Sequence, residues 1–205
     1  MLTVEVDVDR VEVRLRAGLL VCPGCGGILS GWGFARERWL RAAQGRVWVR
    51  PRRGRCGGCA RTHVLLPVVA LARRADVATV IGAGLEARAA GRGHRWIAGV
   101  LGRPAATVRG WLRRFASRAE PIRAAFTSLA VRVDPDAAPA EAASSPLGDA
   151  VVAVLAAAAA VGRRWGGSLL GLSAWQVAAA LTHGGLLAPW PPMELTNTSR
   201  LWAGV

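Results

Sequence analysis

Four cysteines, arranged as two Cys-x-x-Cys pairs, constrain this chain more tightly than anything else in it. They fall in "CPGCGG" and "CGGCAR": Cys22 and Cys25, then thirty intervening residues, then Cys56 and Cys59. A C-x2-C pair lets two thiolates approach one ion from a tight turn, and glycines leave backbone amides free to face the sulfurs. Two such pairs complete a tetrahedral, all-sulfur site with no open position, the pattern of structural zinc. Closed coordination points to a scaffold and not to Lewis-acid catalysis. Redox pairs and disulfides are the competing readings. His63, four residues after Cys59, is an alternative fourth ligand.

Residues 22 to 63 are rich in Gly, Cys and Arg and too poor in apolar side chains to build much core unaided. A metal would therefore supply much of the folding energy there. The segment resembles the zinc-ribbon fold. Arg46-Val47-Trp48-Val49-Arg50, followed by Pro51-Arg52-Arg53-Gly54-Arg55, suits a strand running into the second knuckle. Upstream, Val4, Val6 and Val8, then Val11, Val13 and Leu15, alternate with charged residues. That period of two predicts strands with one dry face.

Charge is distributed unevenly. All 27 basic side chains are arginine, and 20 of them lie in residues 31 to 125 against four carboxylates, Glu37, Asp76, Glu86 and Glu120. The remainder of the chain is slightly acidic. An excess confined to one block is what a polyanion-binding module requires, and a GC-rich, solvated surface is the plainer alternative. The start, MLTVEVDVDR, lacks the basic flank and apolar core of a signal peptide. The longest apolar run, Ala150 to Gly162, is short for a bilayer and is closed by Arg163-Arg164. A soluble, cytoplasmic protein with no membrane partner is expected, nucleoid-associated when bound to DNA.

The stretch "VIGAGLEA", residues 80 to 87, has the G-x-G-x-x-A spacing of a dinucleotide-binding turn, which would imply a nucleotide-dependent oxidoreductase. That fold needs a strand before the glycines, a strand after the helix and an acid about twenty residues on. Arg73-Arg74-Ala75-Asp76 precedes the glycines and no carboxylate lies in Val100 to Thr107. As a helix, the stretch gathers Val77, Val80, Ile81, Gly84, Leu85 and Arg88 near one face, with Asp76 as N-cap. The two glycines weaken that helix or admit a close neighbour.

Downstream, "GHRWIAGVLGRPAATVRGWLRRF" resembles the helix-turn-helix of bacterial transposases, recombinases and regulators. Ile97, Ala98, Leu101 and Gly102 match its first helix and turn; Thr107, Val108, Trp111 and Leu112 match its recognition helix. Val108, Trp111, Leu112 and Phe115 form an i, i+3, i+4, i+7 stripe. Thr107, Arg109, Arg113, Arg114 and Arg118 are left to meet bases and phosphates, and Arg52 and Arg53 of the ribbon to meet phosphates. Gly102 fits the left-handed turn. Pro104 departs from the motif by replacing a capping side chain, and Gly110 by removing a potential base contact.

The whole arrangement resembles an uncharacterised bacterial family of zinc-ribbon plus helix-turn-helix proteins that look like the N-terminal half of insertion-sequence transposases. The resemblance covers residues 20 to 120. Those transposases continue into a ribonuclease-H-like domain with three metal-binding carboxylates. Here only Asp134, Asp136, Glu141, Asp149 and Glu194 follow Arg132, with no strand series to hold them. The resemblance therefore implies a non-enzymatic, zinc-stabilised binder of double-stranded DNA, either a transposition accessory or a transcriptional regulator. A partial transposase needing a catalytic subunit in trans is the alternative.

The expected fold class is α+β. Residues 1–68 form N-terminal strands and a zinc ribbon, and 69–133 a three-helix, homeodomain-like unit. Residues 134–148, DPDAAPAEAASSPLG, form a linker, and 149–205 a helical C-terminal region. In that last region Asp149 to Val161 and Ser173 to His183 read as helices. Trp165, Trp175 and Trp190 are candidate anchors for a homodimer or for docking a transposase or integrase; capping of the chain's own core is the plainer reading.

Overall fold

The computed structural model describes residues 1–138, 140–166 and 171–188. Trp190 and Glu194 lie outside the described residues. The fold is mixed α+β: a small sheet, a β-hairpin and several helices. Strands β1 (Leu2–Val4), β2 (Leu29–Phe34), β5 (Arg52–Cys56) and β6 (Thr62–Pro67) form one sheet in the order β1-β6-β5-β2. β1 pairs with β6 in parallel, and the other pairs are antiparallel. Strands β3 (Arg38–Arg41) and β4 (Arg46–Val49) form an antiparallel hairpin between β2 and β5.

Only the first part of the N-terminal alternation is a strand. Val8–Arg16 is a helix, α1, which corrects the strand expected over residues 11 to 15. The Asp7 carboxylate accepts from the backbone N–H groups of Asp9 and Arg10 and starts it. Val11 and Leu15, one turn apart, are buried with Leu20, Leu29 and Leu65, whereas Val8 and Val13 stay exposed. The sequence matches period two, but this cap and an i, i+4 pair facing a waiting apolar cluster favour the helix.

Beyond the sheet come α2 (Ala78–Ala89), α3 (His94–Leu101), α4 (Ala105–Ala116), α5 (Ala119–Val133), α6 (Pro146–Trp165) and α7 (Ala174–Leu181). The glycines of "VIGAG" thus sit inside a helix and not at the end of a strand. α2 is central: Ala78, Val80, Ile81, Gly82, Gly84 and Leu85 are all buried, so it is covered on more than one face. Asp76 is not its cap; Val77 is. Asp76 is instead almost fully buried and accepts from Arg41 Nη2 and Arg103 Nε, both at 2.6 Å.

One hydrophobic cluster runs from Leu40 and Val49 of the hairpin through α2 to α7, across the boundaries expected at 133 and 149. The segment after α5 is no spacer between domains. Arg123 lies beside Asp149 and Asp134 pairs with Arg163 at 2.6 Å, so α5 and α6 run parallel and residues 134 to 145 return alongside them. Ser145 caps α6 by accepting from Gly148 N, with Pro146 in its first turn. At 20 residues α6 is long and apolar enough to cross a membrane, more than the apolar run alone suggests. Here its Ala150, Val154, Ala157 and Val161 are fully buried in the common core.

Trp175 takes the plainer of the two roles open to it. It is 4% exposed, packs edge-on against Phe115 with centroids 6.5 Å apart, and donates its indole N–H to Glu86. It therefore anchors this chain's own core. Its ring also explains Gly82, because a Cβ there would meet Trp175 ring atoms at 2.0–2.3 Å. A Cβ at Gly84 meets Leu101 and Ile97 at ordinary distances of 3.4 and 3.6 Å. Gly82→Ala is expected to destabilise the fold by at least about 1–3 kcal/mol through overpacking. Gly84→Ala is expected to be neutral or to stabilise by up to about 1 kcal/mol through helix propensity. Denaturant unfolding of the two variants checks the contrast.

Candidate metal centre and nucleic-acid interface

The two cysteine knuckles adopt the same backbone device. Gly26 N donates to Cys22 O at 2.9 Å, and Ala60 N donates to Cys56 O at 3.0 Å. The fifth residue of each knuckle is left-handed, Gly26 at φ 73° and Ala60 at φ 58°. Backbone amides face the sulfurs: Gly24 N and Cys59 N each lie 3.4 Å from the Sγ of Cys22 and Cys56 respectively. Gly57 N donates to Ile28 O and ties the second knuckle to the strand leaving the first.

These turns bring all four Sγ atoms within 4.8 Å of one another. Cys22 approaches Cys59 at 3.7 Å, and Cys25 approaches Cys56 at 3.3 Å. Sulfurs at ~2.3 Å from a tetrahedral ion stand ~3.8 Å apart, so the cage is about the right size for one metal ion. The close approaches run between knuckles, not within them, and all four residues are free cysteines. That is one four-sulfur site and not two separate dithiol pairs. Gly27 lines it so closely that a Cβ would stand 2.9 Å from Cys56 Sγ.

Proton affinity is unevenly shared in the cage. The Cys59 backbone N–H, aided by bonds from Cys25 and from Gly58 N, holds Cys56 down to about 6 against the cost of burial. At Cys25 the Gly27 amide works downward, but sharing hydrogen bonds with the Cys56 and Cys59 sulfurs prevails and pushes it up to about 12. Cys56 therefore presents a thiolate, the form a metal binds, more readily than Cys25. His63 is buried beside the cage with Nε2 3.3 Å from Cys22 Sγ. It stands outside the four-sulfur group, placed to hydrogen-bond a sulfur and orient it.

The expected nucleic-acid residues divide by what holds them. α3 ends at Gly102, whose φ 61° and ψ 41° are left-handed, and α4 begins after Pro104 with no side-chain cap. Val108, Trp111, Leu112 and Phe115 are buried. Arg109, Arg113 and Arg114 are exposed on the other side, and Thr107 is half-buried. Arg109 and Arg113 line a cleft of about 650 Å³ together with Arg88 and His94, two residues not among the expected DNA contacts. Periodicity places Arg88 on the apolar face of α2, but it lies in that helix's last turn, where the helix opens onto the cleft.

Arg118 is engaged elsewhere. α4 stops at Ala116, and Arg118 Nη1 donates to the carbonyls of Gly185, Leu186 and Ala188 at 3.0, 3.3 and 2.7 Å. It closes the C-terminal turn onto the helices. Arg52 is also held, by Glu12 and by the Gly33 carbonyl at 2.7 Å, whereas Arg53 is exposed. Arg74 is pushed below its usual value by burial and then by the like charges of Arg114 and Arg73.

No family model, curated protein or solved structure matches the chain.

Cys56→Ser is expected to release bound metal, whereas His63→Ala keeps one equivalent; elemental analysis of the purified chains checks both. Ala60→Gly relieves a left-handed alanine and is expected to raise ribbon stability by about 1 kcal/mol, read by resistance to a chelator in thermal unfolding.

Proposed function

We propose that this chain is a non-enzymatic DNA-binding protein whose ribbon is held by one zinc ion, acting as a transposition accessory or a transcriptional regulator on cytoplasmic, nucleoid DNA. The observation that carries the reading is α4. It is bound to the core by Val108, Trp111, Leu112 and Phe115 and presents Arg109, Arg113 and Arg114 outward with no carboxylate among them. Together with α3 and the left-handed Gly102 it has the parts of a helix-turn-helix, with α4 in the recognition position. Zinc is the metal the donor set favours, because four thiolates in a closed tetrahedral cage select it over harder ions.

Arginines mutually crowded without a carboxylate between them favour a polyanion. Burial and then the like charges of Arg114 and Arg73 disfavour the charge on Arg74, and a phosphate beside it would offset that repulsion. In the major groove an arginine pairs with guanine through two hydrogen bonds, while arginines elsewhere neutralise phosphate without reading sequence. The ribbon's Arg53 belongs to the second group. Arg118 and Arg52, bound to their own chain, contribute less to DNA than the bare motif implies.

Affinity for duplex DNA is expected to fall steeply with salt as arginines release condensed counterions. Arg109→Ala or Arg113→Ala is expected to weaken binding to a selected site by about 1–3 kcal/mol and relax the choice at one base pair. Arg53→Ala weakens all duplexes equally and reduces the salt slope. Binding isotherms on selected and scrambled duplexes at matched salt check this. Equal losses on both duplexes for the α4 variants would remove sequence reading from α4.

A further inference from the structure

β2 to β5 form one long two-stranded arm. Phe34 pairs with Arg52, Ala35 N donates to Pro51 O at 2.8 Å, and the ladder resumes with Arg38 opposite Val49 and Trp39 opposite Trp48. Alternation along β4 sends Val47 and Val49 to one side, where they join Leu40 against the helical core. Arg46, Trp48 and Arg50 go to the other side, with Trp39 directly across from Trp48. On the same side the guanidinium groups of Arg50 and Arg52 stack over the Phe34 ring at 4.3 and 4.6 Å.

That side is bare. Trp39 is 57% exposed, Trp48 49% and Phe34 42%, although tryptophan is among the more buried residue types on average. Residues 29 to 56 hold eight arginines and one carboxylate, Glu37; Arg41 and Arg52 are neutralised by Asp76 and Glu12, which leaves the arm with a clear positive excess. Burial of the opposite side holds this arm, and Arg50 and Arg52 occupy the Phe34 ring, but the Trp39 and Trp48 rings are left without an internal use.

We propose that this face of the arm, with Trp39 and Trp48 set among Arg46 and Arg50, binds single-stranded nucleic acid by stacking unpaired bases on the two indoles. The chemistry is complementary on both counts. Aromatic faces accept bases of any sequence, and flanking guanidinium groups track the phosphates. Paired bases keep their faces inside the duplex stack and cannot use such rings without being unstacked. A second copy of the chain would bring the same arginines to the same face and be repelled. This site is separate from the α4 surface proposed for duplex DNA.

The test uses the full, metal-loaded chain and fluorescence anisotropy with a labelled thymidine oligonucleotide and a duplex of equal length, at matched salt. Trp39→Ala and Trp48→Ala are each expected to lower single-strand affinity roughly 5- to 100-fold, with duplex affinity unchanged. Trp48→Phe keeps most of the affinity, because a ring remains. Arg50→Ala, which leaves every indole in place, lowers it too and covers the case in which a tryptophan variant loses its metal. Arg109→Ala has the reverse pattern, weakening the duplex alone. The inference is overturned if the wild-type chain does not bind the oligonucleotide, or if the aromatic variants bind it as tightly as wild type. Parallel losses for strand and duplex overturn it as well, as does sedimentation showing that Trp48→Ala turns a dimer into a monomer. Failure of the wild-type chain to bind any duplex strikes at the α4 reading instead and leaves this one standing.

Discussion

A single buried carboxylate joins the two halves of this molecule. Asp76 is 1% exposed and is shared by Arg41, on the hairpin, and Arg103, in the turn between α3 and α4. Arg103 also donates to the carbonyls of Ala42, Leu101 and Gly102, so one guanidinium binds the hairpin tip to the turn. Backbone bonds run beside it, from Arg41 N to Ala75 O and from Val77 N to Arg41 O. A charge this deep is tolerated only when fully partnered, and losing one partner of such a group typically costs about 3–5 kcal/mol. The placement of α4 relative to the arm rests on this triad.

Around that joint the helices form one body. α2 runs through its centre, and Gly82 is the gap into which Trp175 fits, with Glu86 taking the indole proton. α7 thereby reaches α4 through Trp175 and Phe115, and Arg118 draws the turn after α7 onto the start of α5. The C-terminal region therefore makes the core that stiffens α4. The arginines of α4 thus stand on a helix that cannot shift without opening the core, backing that the proposed DNA-binding surface would gain from.

The sulfur cage works on a different scale. The knuckles are held by bonds within a few residues of each cysteine, and the cluster of Val4, Val11, Leu15, Leu20, Leu29 and Leu65 beneath them is small. The cage and this cluster together hold the base of an arm whose far end is fastened by Leu40, Val49 and Asp76. Fixed at both ends, the arm tolerates an exposed aromatic side between them.

Features set by neighbours along the chain are legible in the sequence itself. The spacing of Cys22, Cys25, Cys56 and Cys59 foretells their meeting, because a knuckle is a local turn and four thiolates have a common use. The stripe of Val108, Trp111, Leu112 and Phe115 foretells the buried face of α4, and Gly102 its left-handed turn, because both follow from helical geometry. The helix after Ser173 is legible for the same reason: its capping box is closed within four residues. What tertiary structure alone decides is the use of side chains whose partners are distant in sequence. Asp76 has the position of a cap and serves as the joint; Trp175 has the character of an anchor for a partner and serves as core. Arg118 has the place of a DNA contact and serves as a clamp on carbonyls 67 to 70 residues away. Val11 and Leu15 fit strand and helix alike until Leu20, Leu29 and Leu65 supply the surface they cover. Local rules determine which backbone shapes are cheap, but a buried charge, an indole or a guanidinium goes where the packed chain supplies its partners, and that is fixed only once distant segments have met.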